Sequence, residues 1–223
     1  MAELWFTDGR RLRVGKILGA ARNYREHAKE MAAAVPREPV FFLKPATTVI
    51  QSGEDILLPA QSAEVHVETE LAAVLTAGGR GVSETEAAAL IGGYAVLFDI
   101  TARDLQEAAK RAGLPWTASK GFDTFAPIGE VMLASRVPDP RNLRITLRVN
   151  GRVQQDASTA DMVSSPAALV AHASRLMTLE AGDVFATGTP AGVCAIHPGD
   201  VLEGEIMGLP ILRCLVRARR SSS

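Results

Sequence analysis

Two closely spaced carboxylates mark the stretch of residues 64–71 as a place where chemistry could occur. Glu68 and Glu70 share one face of a strictly alternating pattern, and Val67 and Thr69 lie on the other. Alternation that includes β-branched residues predicts a strand, and the apolar residues that follow it indicate partial burial. Two buried carboxylates repel each other and are costly to desolvate, so they need a shared proton, a basic partner or a cation. The alternative is an edge strand whose acids face water.

A third carboxylate, Asp99, closes the apolar run of residues 94–98. An acid in this place is commonly the N-cap of a following helix, here one that starts after Thr101. Together with Glu68 and Glu70, however, Asp99 makes three carboxylates on strands that we expect to be buried. An all-oxygen set of this kind suits Mg²⁺, Mn²⁺ or Ca²⁺.

His27 and Glu30 lie three positions apart in a segment with helical character, so their side chains share a face. A carboxylate that orients an imidazole and raises its basicity is the usual arrangement of a general base for water. The simpler alternative is a surface ion pair, because Arg25, Glu26 and Lys29 surround these two residues.

Lys120 lies in the polar, glycine-bearing segment 117–123, which we expect to be irregular. Its ammonium can hold a substrate carboxylate or an enolate, although exposed lysines usually do neither. The segment 187–192 follows a predicted strand, and its backbone N–H groups can bind an anion; a plain turn is the alternative. Cys194 has no histidine or acid at a spacing that would make it a nucleophile.

The composition is that of an ordinary globular protein of 223 residues, with 47% hydrophobic and 22% charged residues. A net charge of −1 gives no electrostatic footprint for nucleic acid or for a membrane surface. Two cysteines are too few for a disulfide framework, and no apolar run reaches the roughly 20 residues that a bilayer span needs. We therefore expect a cytoplasmic protein.

Strand, turn and helix signals along the chain favour a single α+β domain with a mixed, folded sheet, a β-roll or pseudo-barrel, and a few flanking helices. Residues 1–16 are expected to form a short N-terminal lead, residues 17–216 the domain, and residues 217–223 a disordered tail. Local signals predict the elements within the domain, namely a helix from Asn23 to Ala33, a buried strand over Val40 to Leu43, a capped helix from Ser83 to about Ile91, a helical segment from Thr101 to Ala112, a hairpin at Asn150-Gly151 and a helix from Ser165 to Met177.

Several motifs follow one another along the chain. They are Gly19-Ala20-Ala21-Arg22-Asn23-Tyr24-Arg25-Glu26-His27-Ala28-Lys29-Glu30, Phe42-Leu43-Lys44-Pro45, Glu68-Thr69-Glu70-Leu71, Asp99-Ile100-Thr101-Ala102-Arg103-Asp104, Lys120-Gly121-Phe122-Asp123, Val149-Asn150-Gly151 and Thr187-Gly188-Thr189-Pro190-Ala191-Gly192. In this order and spacing they resemble the fumarylacetoacetate hydrolase family, in particular its short acylpyruvase and oxaloacetate decarboxylase-like members. The likeness runs from about Gly19 to Leu212.

The resemblance implies a β-roll domain, expected as a homodimer, that binds Mg²⁺ or Mn²⁺ and a small 2-oxo or 2,4-dioxo acid. By motif match, Glu68, Glu70 and Asp99 are the metal ligands and His27 with Glu30 is a water-activating dyad on a lid. The matched positions that contact substrate in similar enzymes are Arg103, Gln106, Lys120 and Thr189; Arg22 matches a motif residue without a fixed role. Phe98 departs from the pattern, which has Asn there, and is expected to remove a polar group near the metal.

The activity implied by the resemblance is hydrolysis of a C–C bond in acylpyruvates, such as fumarylpyruvate or acetylpyruvate, through a metal-stabilised pyruvate enolate. Alternatives on the same scaffold are oxaloacetate decarboxylation and the isomerase or hydratase reactions of related enzymes. The His27 and Glu30 pair favours hydrolysis, because decarboxylation needs no activated water. A non-catalytic binding domain is a further alternative, which predicts an intact core with a damaged site.

Overall fold

A computed structural model describes residues 2–31 and 34–218 of the chain. The described residues form eighteen strands and five α-helices. The strands are β1 (Glu3–Trp5), β2 (Arg11–Arg13), β3 (Ile17–Ala21), β4 (Val40–Lys44), β5 (Val49–Gln51), β6 (Asp55–Leu58), β7 (Val65–Val67), β8 (Thr69–Leu75), β9 (Ile91–Phe98), β10 (Thr101–Ala102), β11 (Ala126–Ile128), β12 (Met132–Leu133), β13 (Arg144–Val149), β14 (Arg152–Ser158), β15 (Val184–Ala186), β16 (Cys194–Ala195), β17 (Val201–Ile206) and β18 (Leu212–Ala218). The helices are α1 (Arg25–Glu30), α2 (Glu84–Leu90), α3 (Arg103–Ala112), α4 (Thr117–Lys120) and α5 (Pro166–Leu176).

The predicted α+β fold with a mixed, folded sheet is confirmed. The largest sheet has eight strands, in the order β4-β3-β15-β8-β9-β11-β5 with β12 added beside β9, and it contains both parallel and antiparallel pairs. A five-stranded sheet in the order β14-β13-β17-β18-β6 packs against it, and the strands curl into a half-barrel. A small third sheet, β10-β7-β16, lies where the functional side chains gather.

The antiparallel pair β8 and β9 forms the centre of the large sheet, and both of its faces are buried. Leu71 of β8 and Val96 of β9 face the core that the five-stranded sheet covers. Ala72 and Ala95 face a second core beneath the N-terminal hairpin of β1 and β2. Strands buried on both faces have continuous apolar sequences, which explains why these segments are so poor in polar residues.

The local signals for caps and turns are confirmed by the structure. Ser83 and Glu86 form a reciprocal capping box at the start of α2, with the backbone N–H of Ser83 2.8 Å from a Glu86 carboxylate oxygen. Ser165 caps α5, and its hydroxyl accepts from the backbone N–H of Ala168 at 3.0 Å. Asn150 and Gly151 adopt the positive φ values that a two-residue hairpin requires, between β13 and β14.

Three expected elements differ in the structure. The segment expected to be irregular contains the helical turn α4, in which the backbone N–H of Lys120 bonds to the carbonyl of Trp116 at 3.0 Å. The helix expected over residues 23–33 is shorter, because Tyr24 is extended, and residues 32 and 33 lie outside the described part. The strand β4 is present but lies at the edge of the large sheet, so Val40 and Leu43 are exposed rather than buried.

The two ends of the chain flank the domain as strands. Residues of the expected lead form the β1 and β2 hairpin, which packs on the second core. At the other end, β18 continues to Ala218, two residues into the segment expected to be a tail; residues 219–223 lie outside the described part. Among the described helices, none has the length and apolar character to cross a bilayer.

The close approach of the two larger sheets depends on Gly204 of β17. A Cβ atom at this position would lie 2.6 Å from a ring carbon of Phe98 and 2.9 Å from Val96. We expect Gly204→Ala to lower the free energy of unfolding by about 1–3 kcal/mol, because an extra methyl group overpacks the core. Urea denaturation measures this change.

The matched control is Gly129→Ala, where the nearest atoms to an added Cβ lie at an ordinary 3.6 Å. A Gly204→Ala protein as stable as the Gly129→Ala protein would show that the sheets can separate to accept the methyl group.

Candidate active site

The register of β8 against β9 places the three acids together. Glu70 pairs with Leu97, and the backbone N–H of Asp99 donates to the carbonyl of Glu68 at 2.8 Å. Glu68 interrupts the strand that the alternating sequence predicted, since β7 before it and β8 after it belong to different sheets. Carboxylate oxygens from Glu68, Glu70 and Asp99 lie within 4.8 Å of one another, and all three side chains are buried.

The alternative positions considered for these acids do not occur. None of the three faces water, with Glu68 5% exposed and Asp99 fully buried. Asp99 is not a helix cap either, because Ala102 is the N-cap residue of α3. Phe98 does not replace a polar group beside the acids, since its side chain lies in the core between the sheets, next to Gly204. Successive side chains of an extended chain point to opposite sides, so Phe98 points away from the side on which Asp99 lies.

Three buried cations surround the acids. Lys44 donates to Asp99 at 2.5 Å and to the carbonyl of Ile100 at 3.0 Å. Lys120 contacts Asp99 and lies 3.2 Å from one carboxylate oxygen of Glu68. The Arg103 guanidinium contacts the other oxygen of Glu68. When all three acids are ionised, the three positive charges equal the three negative charges. Burial of so many carboxylates is therefore compatible with folding.

The electrostatics of the site differ between its two glutamates. Burial raises the pKa of Glu68, but the charges of Lys120 and Arg103 outweigh that effect and hold the pKa below its ordinary range. Burial together with the charges of Asp99 and Glu68 raises the pKa of Glu70 well above its ordinary range. Burial lowers the pKa of Lys44 to about 8, although the neighbouring Asp99 opposes this change.

The three acids fit a divalent cation on their own chemistry. An ionised carboxylate offers about four acceptor sites, and each of these acids uses only part of that capacity on protein donors. Glu70 is the least satisfied, because its described protein donor is the backbone N–H of Gly188 at 2.7 Å. A hard, oxygen-seeking ion would complete the coordination of these oxygens and relieve the repulsion between the carboxylates.

His27 and Glu30 form the pair that their spacing predicted. His27 Nδ1 lies 3.1 Å from a Glu30 carboxylate oxygen, and the other oxygen accepts from the backbone N–H of Gly192 at 3.1 Å. With an ionised Glu30, Nδ1 carries the proton and the lone pair of the imidazole lies on Nε2. The helix α1 is thereby held to the loop of residues 187–192, and His27 is buried rather than on the surface.

A cavity of about 270 Å³ joins the two groups of residues. All the residues that the resemblance assigned to the site, except Glu30, line it: His27, Glu68, Glu70, Asp99, Arg103, Gln106, Lys120 and Thr189. Gln106 accepts from the Arg103 guanidinium at 2.6 Å, which fixes both side chains against the cavity. The remaining walls are largely apolar and include Phe42 and Trp116.

Two residues that the sequence reasoning did not assign hold this geometry. Lys44 reaches Asp99 across 55 positions of sequence. Gln155 of β14 accepts from the backbone N–H of Thr69 at 3.0 Å and donates to the hydroxyl of Thr189 at 2.8 Å. Gln155 thus ties the residue between the two glutamates to the loop that carries Thr189. Lys44 stands in a motif of the resemblance, but Gln155 gave no signal in the sequence.

Comparison with known proteins decides the family. Residues 16–217 match the family described as Fumarylacetoacetate (FAA) hydrolase C-terminal. The chain belongs to the fumarylacetoacetate hydrolase family. A relative from Arabidopsis thaliana, named oxaloacetate tautomerase FAHD1, mitochondrial, is 46% identical over 194 residues, which cover 87% of each chain.

Solved structures of this family share the fold over nearly the whole chain. Fumarylpyruvate hydrolase from Pseudomonas aeruginosa, in complex with Mn²⁺ and pyruvate, is 36% identical with a TM-score of 0.93, covering 98% of this chain and 96% of that one. The 5-carboxymethyl-2-hydroxymuconate delta-isomerase from Mycobacterium smegmatis is 35% identical with a TM-score of 0.83, covering 95% and 86%. Hydrolases, isomerases and tautomerases are therefore all similar to this chain.

The raised pKa of Glu70 predicts that a divalent ion binds more tightly as the pH rises. A ligand carboxylate must lose its proton, so the ion and the proton compete for Glu70. We expect the dissociation constant for Mn²⁺ to fall as the pH rises, with release of a proton on binding. Calorimetry in buffers of different ionisation enthalpy measures both quantities.

The matched variant is Glu70→Gln, which carries no ionisable group at this position. It should bind Mn²⁺ more weakly and release fewer protons. Binding by the unaltered protein without pH dependence and without proton release would contradict the prediction.

Proposed function

We propose that this protein is a divalent-metal-dependent hydrolase that cleaves a C–C bond in acylpyruvates, which are 2,4-dioxo acids. The observation that carries the proposal is the shared cavity, with three buried carboxylates and a cation-rich surround at one side and the His27 and Glu30 pair beside them. Mg²⁺ or Mn²⁺, held by Glu68, Glu70 and Asp99, would supply Lewis-acid stabilisation of negative charge on the substrate oxygens.

The charge of the site supports a dianionic ligand. The three acids balance Lys44, Lys120 and Arg103, so a divalent ion leaves two positive charges in a buried place. The enolate of a 2,4-dioxo acid or a dicarboxylic 2-oxo acid supplies two negative charges. Pairing of buried charges is required because an uncompensated ion in a low-dielectric site is costly.

The protein residues then carry out the proton transfers of hydrolysis. His27 Nε2 accepts a proton from a water molecule, while Glu30 stabilises the imidazolium that forms. The resulting hydroxide attacks the distal carbonyl carbon, and the C–C bond between that carbon and the pyruvate methylene breaks. The bonding pair leaves with pyruvate as its enolate, which takes up a proton to give pyruvate. Lys120 and Arg103 stand among the acids, where they can stabilise this charge.

Keto–enol tautomerisation of oxaloacetate is the second candidate. The Arabidopsis relative named as an oxaloacetate tautomerase supports it, and this reaction needs the same stabilisation of an enolate. It moves a proton between the keto oxygen and the neighbouring carbon, and it does not consume water. Decarboxylation of oxaloacetate and the isomerase reactions use the same enolate stabilisation and stay alternatives of the same kind. A homodimer in solution also stays a prediction.

A panel of 2-oxo and 2,4-dioxo acids tests the proposal. Protein freed of metal by a chelator should be inactive, and Mg²⁺ or Mn²⁺ should restore loss of the ultraviolet absorbance of the enolised substrate together with release of pyruvate. We expect Glu68→Ala to lower kcat/KM at least about 100-fold at high metal concentration, because one ligand to the ion is lost. Full activity of Glu68→Ala would remove the acids from the mechanism.

The two candidate reactions respond differently to changes in the His27 and Glu30 pair. We expect His27→Ala to slow acylpyruvate hydrolysis about 100- to 10,000-fold, the range typical of a lost general base, and Glu30→Ala to slow it less. Pyruvate release and oxaloacetate ketonisation are measured on the same preparations. Equal turnover of acylpyruvates by both variants would exclude the pair as the base.

The matched control for this test is Glu26→Ala. Glu26 lies on the same short helix but is exposed and paired with Lys29 at 2.5 Å. Its removal should leave both reactions unchanged.

A further inference from the structure

Almost every positively charged side chain that lines the cavity is already paired with an opposite charge. Lys120 and Arg103 are bound to the acids, and Lys110 lies 2.7 Å from a carboxylate oxygen of Glu107. The exception among the described residues is Arg22, which lines the same cavity and has no carboxylate within 4.0 Å of its guanidinium.

The guanidinium of Arg22 has capacity for another acceptor. One terminal nitrogen donates to the carbonyl of Ala34 at 3.1 Å. Its Nε is buried and has no hydrogen-bond partner among the described residues. A buried donor without a partner destabilises the protein, and a charged one does so more, so an acceptor that reaches it is strongly favoured.

The backbone of Arg22 is also held in an unusual conformation. Its φ is +57°, in the left-handed region that residues with a side chain seldom adopt. The neighbouring Asn23 fixes this turn, because its side chain donates to the carbonyls of Ser164 and Thr187 at 2.9 Å and 2.8 Å. Strained backbone that the surrounding structure maintains is concentrated at ligand-binding sites.

The lining of the cavity therefore combines three kinds of group. It contains the three acids with their cations, the unpaired Arg22 and apolar side chains. Met31, Phe42 and Trp116 line the cavity as well, and the rings of Phe42 and Trp116 lie 5.9 Å apart. Apolar walls of this kind suit a short hydrocarbon chain that connects two polar groups.

We propose that Arg22 binds a carboxylate at the end of the substrate remote from the 2-oxo acid group, so that the preferred substrates are dicarboxylic. This inference rests on the proposed function for the position of the 2-oxo acid group. The guanidinium binds a carboxylate through two parallel hydrogen bonds, which Nε and a terminal nitrogen can supply together. An acylpyruvate with a neutral acyl group leaves this donor without a partner.

Binding of unreactive ligands tests the proposal without reliance on turnover. The probes are 2-oxoglutarate, which has a second carboxylate, and 2-oxohexanoate, a chain of similar length without one, each titrated calorimetrically into the Mn²⁺-loaded protein. We expect 2-oxoglutarate to bind about 10- to 100-fold more tightly, and Arg22→Met to abolish that preference while 2-oxohexanoate binding changes less than about threefold. Arg22→Lys should retain part of the preference.

Lys110→Met is the matched control, because Lys110 is a cation on the same cavity but already paired with Glu107. It should leave the ratio of the two affinities unchanged. If Lys110→Met abolished the preference for 2-oxoglutarate and Arg22→Met did not, the carboxylate would be assigned to Lys110 and the proposal for Arg22 would be overturned.

Two further results would also overturn it. One is equal binding of the two probes by the unaltered protein, and the other is an equal loss of both in Arg22→Met, the result of a merely structural role. A thermal unfolding scan of each variant verifies folding. If the dicarboxylate preference is present but no 2,4-dioxo acid is hydrolysed, the proposed hydrolysis fails and the assignment of Arg22 stands.

Discussion

The repulsion among three buried carboxylates is the constraint on which the rest of this structure depends. Glu68, Glu70 and Asp99 are brought within 4.8 Å by strand pairing, at a depth where water does not screen their charges. Folding is compatible with that arrangement because Lys44 and Lys120 approach from other elements and, with Arg103, match the negative charge. Glu70 has the fewest donors, and its raised pKa favours a bound proton that a hard cation would displace. Site and fold are thus stabilised by the same ion pairs.

The folding of the sheets encloses the cluster of three acids. A single flat sheet would place Glu68 and Glu70 on one face, two residues apart, with no third wall to complete an enclosure. The chain instead leaves the small sheet at Glu68 and enters the large one at Thr69. Donors from β4 and from the helices α3 and α4 meet the acids there. Gln155 secures that transition by binding Thr69 and Thr189 at once. The cavity is therefore enclosed because the sheets curve.

The family relationship and the geometry support the function at different levels. Relatives and neighbours named as a tautomerase, a hydrolase and an isomerase share the fold, so membership of the family alone does not select a reaction. All of these reactions are served by a site that stabilises an enolate. The residues that we propose to separate these reactions lie outside the three acids. The His27 and Glu30 pair is proposed to activate water, and Arg22 is proposed to bind the far end of the ligand. On the functions proposed for these residues, reaction and substrate would be selected by the segment around α1, rather than by the carboxylates on the central strands.

The sequence by itself determined the features that depend on near neighbours. Spacing placed His27 and Glu30 on one helical face, and alternation placed Glu68 and Glu70 on one face of a strand. The hairpin at Asn150 and the cap at Ser83 followed from local backbone preferences. Only the tertiary structure decided which distant groups neutralise the acids, because Lys44 lies 55 residues from its partner and Gln155 lies 86 residues from Thr69. It also decided that Phe98 faces the core and that β4 is an edge strand. Sequence periodicity records the face on which a side chain lies, but strand pairing and the packing of one sheet on another decide what that face meets.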